Sequence, residues 1–254
     1  MEIVDLSAPI VSSPEGTPDV LRTEIEHSGH EEGAAVIREL FGVGPDLLRD
    51  GEGWANDFIT RLGTHNSTHV DAPWHYNSKI GGEPARTIEQ LPLEWFVNPG
   101  VVLDFDGRAD GEVIEVPDIE QALERSGHDL RPLDIVLVRT GCDRWVETPE
   151  YMAHGPGVSA AATEWLYEQG VRVMGIDAWG WDRPLWMQAQ EAQEKGEKGI
   201  FWAAHQADLP YSQIERLVNL DRLPPTGFTV SCLPLPIVGG SAAPARVVAL
   251  LDQP

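Results

Sequence analysis

The clearest pattern of apolar and polar positions lies in the second half of the chain. Residues 101–106 read as a strand, residues 135–139 as a continuous apolar strand, and residues 171–177 as a further buried strand. Residues 118–125 put Ile119, Ala122 and Leu123 on one helical face, with Gly127 closing the helix. Residues 159–169 read as a second helix, with a Ser cap and Gly170 at its end. Strands alternating with helices predict an α/β sheet with parallel pairing at its centre. Two last strands are expected at 229–235 and 247–251. Upstream, residues 2–7 read as a first strand ending at Pro9, residues 11–31 as polar and irregular, and residues 32–40 as a helix ended by Gly44-Pro45. Phe58, Thr60 and Leu62 alternate with polar residues and predict a strand leading to residue 65. Two stretches lack a clean period. Residues 191–198, charged and Gly-containing, are expected to be a solvated loop, and residues 214–223 to be helical in part, stopped by Pro224-Pro225.

Composition narrows the class. The 254 residues are 42% hydrophobic and 23% charged, without low-complexity tracts or repeats, which suits a globular fold of one or two domains. A net charge of −23, from 41 acidic and 18 basic residues, disfavours nucleic acid and acidic membrane surfaces as partners. Cys142 and Cys232 form no CxxC, so neither a disulfide framework nor a zinc knuckle is indicated, and a reducing compartment is the simpler reading. The N-terminus shows no basic, apolar leader pattern, and the longest uncharged stretch, 223–245, contains five prolines. A soluble, cytoplasmic protein is expected.

Chemistry concentrates in residues 65–75, where three of the eight histidines and one carboxylate lie. His65, His69, Asp71 and His75 share one parity, but a straight strand at ~3.3 Å per residue would hold His65 and Asp71 about 20 Å apart. A continuous helix would turn Asp71 away from the histidines and be broken by Pro73. The workable geometry is a turn through Asn66 and Ser67, then an extended stretch placing His69 beside Asp71. Pro73 biases Ala72 away from helix, so the extension is expected to hold as far as His75, near a metal but not bound to it. Neutral imidazole with carboxylate oxygen is the ligand set of borderline divalent metals. The alternative for these residues is a polar surface loop.

The same residues resemble the HxGTHxDxPxH signature of the metal-dependent cyclase-like hydrolases, the family of bacterial kynurenine formamidase and isatin hydrolase. His65, His69, Asp71, Pro73 and His75 match, whereas Ser67 replaces the glycine and Tyr76 stands where phenylalanine is usual. Thr140-Gly141, Gly155-Pro156-Gly157, Gly175-Ile176-Asp177 and the tail from Pro234 to Arg246 follow in the family's order. The resemblance implies one domain over 1–254 with a mixed sheet of the swivelling β/β/α type, in a homodimer or larger assembly. It also implies a downstream His and Glu completing a site for one or two ions, zinc or manganese. His205 and Glu215, ahead of Asn219-Leu220, are the candidates; the bland alternatives are a core histidine and an exposed helical carboxylate.

A metal held by His65, His69 and Asp71 would acidify a water and polarise a carbonyl, and His75, close but unbound, suits a proton shuttle. Trp74, Trp179, Trp181, Trp186 and Trp202 are either core or an aromatic wall for a flat substrate. The expected function is hydrolysis of an amide C–N bond of a small aromatic or cyclic substrate. A lactone hydrolase or cyclase using the same site, and a non-catalytic metal-binding protein, are the competing readings.

Overall fold

The apolar runs of the second half lack alternation because they are buried on both faces, in the middle of a sheet. The computed structural model describes residues 1–251, which form two compact units: residues 10–66, and residues 1–9 together with 67 onward. The sheet belongs to the second unit. In chain order its strands are β1 (Glu2–Asp5), β2 (His69–Asp71), β3 (Val97–Asp104), β4 (Ile135–Arg139), β5 (Val173–Ile176), β6 (Ser212–Glu215), β7 (Phe228–Ser231), β8 (Ala242–Pro244) and β9 (Val248–Leu251). Across the sheet they lie β1-β9-β7-β3-β4-β5-β6-β2-β8. Neighbours from β3 to β6 are parallel, and every other pair is antiparallel. The α/β class, the parallel centre and the mixed sheet are all present.

Period-2 geometry divides these strands between two cores. Val101, Leu103, Val136, Val138, Met174 and Ile176 face one, with Ile119, Ala122, Ala162, Leu166 and Tyr76. Val102, Ile135, Leu137, Val173, Ile214 and Val70 face the other, with Leu6, Ile88 and Phe96. Because Val70 and Ile214 point to the second core, His69, Asp71 and Glu215 must point to the first.

The α-helices among the described residues are α1 (His30–Phe41), α2 (Pro73–Tyr76), α3 (Val116–Ser126), α4 (Ala160–Glu168) and α5 (Leu185–Lys195). α3 and α4 end as expected: Gly127 is left-handed at φ 64°, and the Ser159 hydroxyl accepts from the Ala162 N–H. In the smaller unit, Asn56–Arg61 is the expected strand, and it pairs with Glu24–Ser28, a strand within the stretch 11–31 expected to be irregular. The short helix α2 corrects the expected extension to His75. Ala72 is extended, as a residue before proline should be, but Pro73 itself suits the first position of a helix and starts one. α5 takes up residues 191–195 of the expected loop at 191–198, leaving only 196–198 outside the helix. Its residues are good helix formers, Glu191 and Lys195 pair one turn apart at 2.6 Å, and Gly196 caps the helix from outside. Residues 214–223 open with the last residues of β6, and their helical part is confined to the 3₁₀ turn Leu220–Arg222 ahead of Pro224-Pro225. Short strands buried on both faces leave no period to separate them from helix.

Candidate metal centre

β2 and β6 build the site as an antiparallel pair with Glu215 directly opposite His69 and Ile214 opposite Val70. Residues facing each other across such a pair share a face, so the register alone sets His69 against Glu215, with Asp71 two residues along. His69 Nε2 lies 3.2 Å from Asp71 Oδ1 and 3.6 Å from Glu215 Oε2. Ligand atoms of all three approach within 4.8 Å of one another. His69 and Asp71 are fully buried and Glu215 is nearly so, which contradicts an exposed carboxylate at 215. The His69 ring is oriented by a contact of its Nδ1 with the Ser67 carbonyl at 2.9 Å, leaving Nε2 toward the carboxylates.

His205 joins from the segment after α5. Its Nε2 lies 3.2 Å from Glu215 Oε1 and its Nδ1 2.5 Å from Asp182 Oδ2. Asp182 also accepts the backbone N–H groups of Ala204 and His205, so one carboxylate fixes both the ring and its peptide. Burial alone would depress the His205 pKa, but the hydrogen bonds and charges of Asp182 and Glu215 outweigh it and hold it up at about 10. Burial and Asp71 push the Glu215 carboxyl upward, yet His205 and His69 prevail and keep it below the usual range. Glu215 Oε1 also accepts the Trp181 N–H at 2.9 Å. Asp182 was not foreseen, since nothing local ties it to a histidine 23 residues away.

His75, on α2, brings a ring nitrogen within 4.8 Å of an Asp71 oxygen. Its ring meets Trp202 edge-on at 4.9 Å, and Trp202 stacks on His205 at 4.5 Å and 17°. His65 lies in the other unit, in the turn that Asn66 N–H closes onto the Gly63 carbonyl at 2.9 Å. Ser67, where the signature has glycine, takes a left-handed φ of 58°, the conformation a glycine would favour.

The tryptophans divide. Trp181 is fully buried and its indole donates to Thr163 Oγ1 at 2.8 Å. Trp179 lies under the Arg216 guanidinium. Trp74 and Trp186 are exposed. Among the remaining histidines, His128 pairs with the buried Asp134 at 2.7 Å. Cys142 and Cys232 are both free thiols and buried.

The donor chemistry fits a divalent cation. Two buried carboxylates and two buried imidazoles converge, and a cation is the group that offsets such a concentration of negative charge away from water.

Comparison with known proteins agrees with this chemistry. The family described as "Putative cyclase" matches residues 4–183. Similar relatives include the kynurenine formamidase of Erythrobacter litoralis, 30% identical over 192 residues, covering 74% of this chain and 73% of the relative. That of Salinibacter ruber is 32% identical over 202 residues, covering 76% and 79%. The isatin hydrolase of Roseibium aggregatum is 26% identical over 204 residues, covering 76% and 73%. Among solved structures, isatin hydrolase A from Ralstonia solanacearum superposes with a TM-score of 0.74 at 25% identity, over 99% of this chain and 92% of that one. With a match spanning residues 4–183, a shared fold and the paired strands that carry His69, Asp71 and Glu215, the chain belongs to the cyclase family.

Proposed function

We infer that the protein is a metal-dependent hydrolase that cleaves an amide C–N bond of a small aromatic or cyclic substrate. The observation that carries this reading is the buried convergence of His69, Asp71 and Glu215. Relatives named kynurenine formamidase and isatin hydrolase support it. One or two zinc or manganese ions held by His69, Asp71, Glu215 and His205, with His65 added from its place in the motif, would supply Lewis acidity to a substrate carbonyl and to water. Asp71, with two oxygens, suits a bridging position if two ions bind. Asp182 fixes the tautomer of His205 by accepting at Nδ1, which leaves Nε2 for the ion. His75 takes a proton from the attacking water at a ring nitrogen and returns it to the departing nitrogen, a task for which an imidazole is suited near neutral pH. Trp202 seals the histidine side of the site against water, and Trp74 offers an aromatic face beside it. Trp181 contributes through its backbone N–H to Glu215.

The test is elemental analysis of the purified protein, with turnover of an N-formyl arylamine, isatin and simple lactones measured side by side. We expect about one or two metals per chain, and loss of turnover of at least ~100-fold both after chelation and in His69→Ala. Full metal content with unchanged turnover in His69→Ala would refute the reading, and a preference for lactones would redirect it.

The assembly we propose is a homo-oligomer, supported by exposed Phe41, Trp54, Phe58 and Ile59 on the smaller unit. A cytoplasmic location is supported by the two free thiols. Among the described residues, no helix is long and apolar enough to cross a membrane.

A further inference from the structure

Arg216 directly follows Glu215 and is the only buried lysine or arginine among the described residues, at 8% exposure. A buried guanidinium ordinarily sits against a carboxylate. The more exposed Arg139 does so, with Asp104 and Asp106 at 2.8 and 2.9 Å. In a chain with 41 acidic residues, Arg216 nonetheless has no ion pair among the described residues. Its guanidinium carbon lies 3.5 Å over the ring of Trp179, and Nε–H donates to the Trp179 carbonyl at 3.4 Å. That bond uses one of five donors. The four N–H bonds of the two terminal nitrogens have no acceptor among the described residues, and those nitrogens are not among the sealed, unpartnered atoms of the interior.

The backbone adds a second cost. Arg216 is left-handed at φ 60°, a conformation that strains any residue with a Cβ. It is held there by its N–H donating to the Ala178 carbonyl at 3.1 Å and by its own carbonyl accepting from Thr68 Oγ1 at 2.6 Å. Trp179 follows the end of β5 and Arg216 the end of β6, both at the carboxyl ends of parallel strands, where open α/β sheets bind ligands. The stack fixes the plane of the fork, and the N–H groups of its two-pronged edge, the edge that binds a carboxylate through two parallel hydrogen bonds, are left without an acceptor among the described residues.

We propose that Arg216, seated on Trp179, binds a carboxylate carried by the substrate, so that the preferred substrate is an anionic amide. This deepens the hydrolase reading and rests on it for the word substrate, but not for the binding itself.

The experiment therefore has a hydrolytic and a binding arm. N-formylanthranilate and formanilide are aromatic formamides that differ by one carboxylate. The ratio of their kcat/KM values should favour the anion and fall at least tenfold in Arg216→Gly, mainly through KM. Glycine relieves the left-handed backbone, so this variant is the one expected to fold. Arg216→Lys, which keeps the charge and loses the fork, should recover only part of the ratio. In the second arm, tryptophan fluorescence reports benzoate binding. Wild-type protein should bind benzoate but not benzamide, and Arg216→Gly should lose benzoate at least tenfold. Equal loss on both formamides would mean that Arg216 only offsets the charge of Glu215 and Asp71, and would overturn the proposal. So would benzoate binding that is absent from the wild type or unchanged in the variant. Benzoate binding lost in the variant, with neither formamide turned over, would uphold Arg216 and count against the hydrolase reading alone.

Discussion

Tyr76 shows how one oxygen can hold a site in register. It stands where the family signature has phenylalanine, and its hydroxyl accepts the Gln213 N–H at 3.0 Å. Gln213 is fully buried and lies one residue before the pairing of β6 with β2 begins. Tyr76→Phe keeps the ring tilted against Tyr211 at 5.1 Å but leaves that N–H buried without an acceptor. Urea unfolding should show a loss of ~1–3 kcal/mol, the usual cost of an orphaned buried donor; an unchanged midpoint would mean that another acceptor moves in. At this scale the sequence was legible where spacing follows a local rule. His69 and Asp71 meet because alternate residues of a strand share a face, and Ser67 turns where a signature glycine was replaced. Asp182 and Arg216 were invisible, because their partners lie 23 and 37 residues away and are met only through the fold.

Elements were legible where a period or a cap marked them, as for α3 and α4, and illegible where burial or solvation erased the period. β6 has four fully or almost fully buried residues, three of them polar or charged, so no pattern separates it from a helix. α5 buries only Gln188 and has almost no apolar stripe to read. Joining elements matter as much. Gly157 runs against the 182–183 backbone so closely that an added Cβ would lie 2.0 Å from the Arg183 nitrogen and 2.4 Å from the Asp182 carbonyl carbon. Backbone cannot swing aside as a side chain can, so Gly157→Ala must displace the segment that carries Asp182. We expect a stability loss of at least ~1–3 kcal/mol. The metal-to-chain ratio should also be lowered, because Asp182 orients His205. A variant with parental stability and metal content would show that the close approach is not what sets Asp182.

For the whole molecule, stability against pH is the sum of groups that oppose one another. Asp118 is held low by the Glu115 N–H, with burial working against it and Arg108 adding to it; burial pushes the Asp5 carboxyl up, but hydrogen bonds and charge from Arg246, with the Ser7 N–H, together outweigh it and hold it low. Such groups contribute stability above the ordinary carboxylate range and lose it as pH falls through their lowered values. Asp177 runs the other way. Burial pushes its carboxyl up to about 7, although Thr140 and Gly141 donate three hydrogen bonds to it. The native state therefore binds a proton that the unfolded chain, with a value of 3.8, releases. That contribution is complete below the unfolded value and is lost as pH rises toward 7, with a slope of at most about 1.4 kcal/mol per pH unit for one proton. The stability maximum should accordingly lie on the mildly acidic side, above the range where Asp5 and Asp118 protonate. General self-repulsion from a charge of −23 acts in the same direction, so the wild-type curve alone cannot assign the slope. Asp177→Asn can. Its amide would face the Gly141 N–H donor to donor, which lowers stability at pH 5, but the curve between pH 5 and 7 should flatten relative to wild type. Urea midpoints at pH 5, 6, 7 and 8 for both proteins give the comparison, and two parallel curves would show that the buried carboxyl at 177 stays ionised throughout.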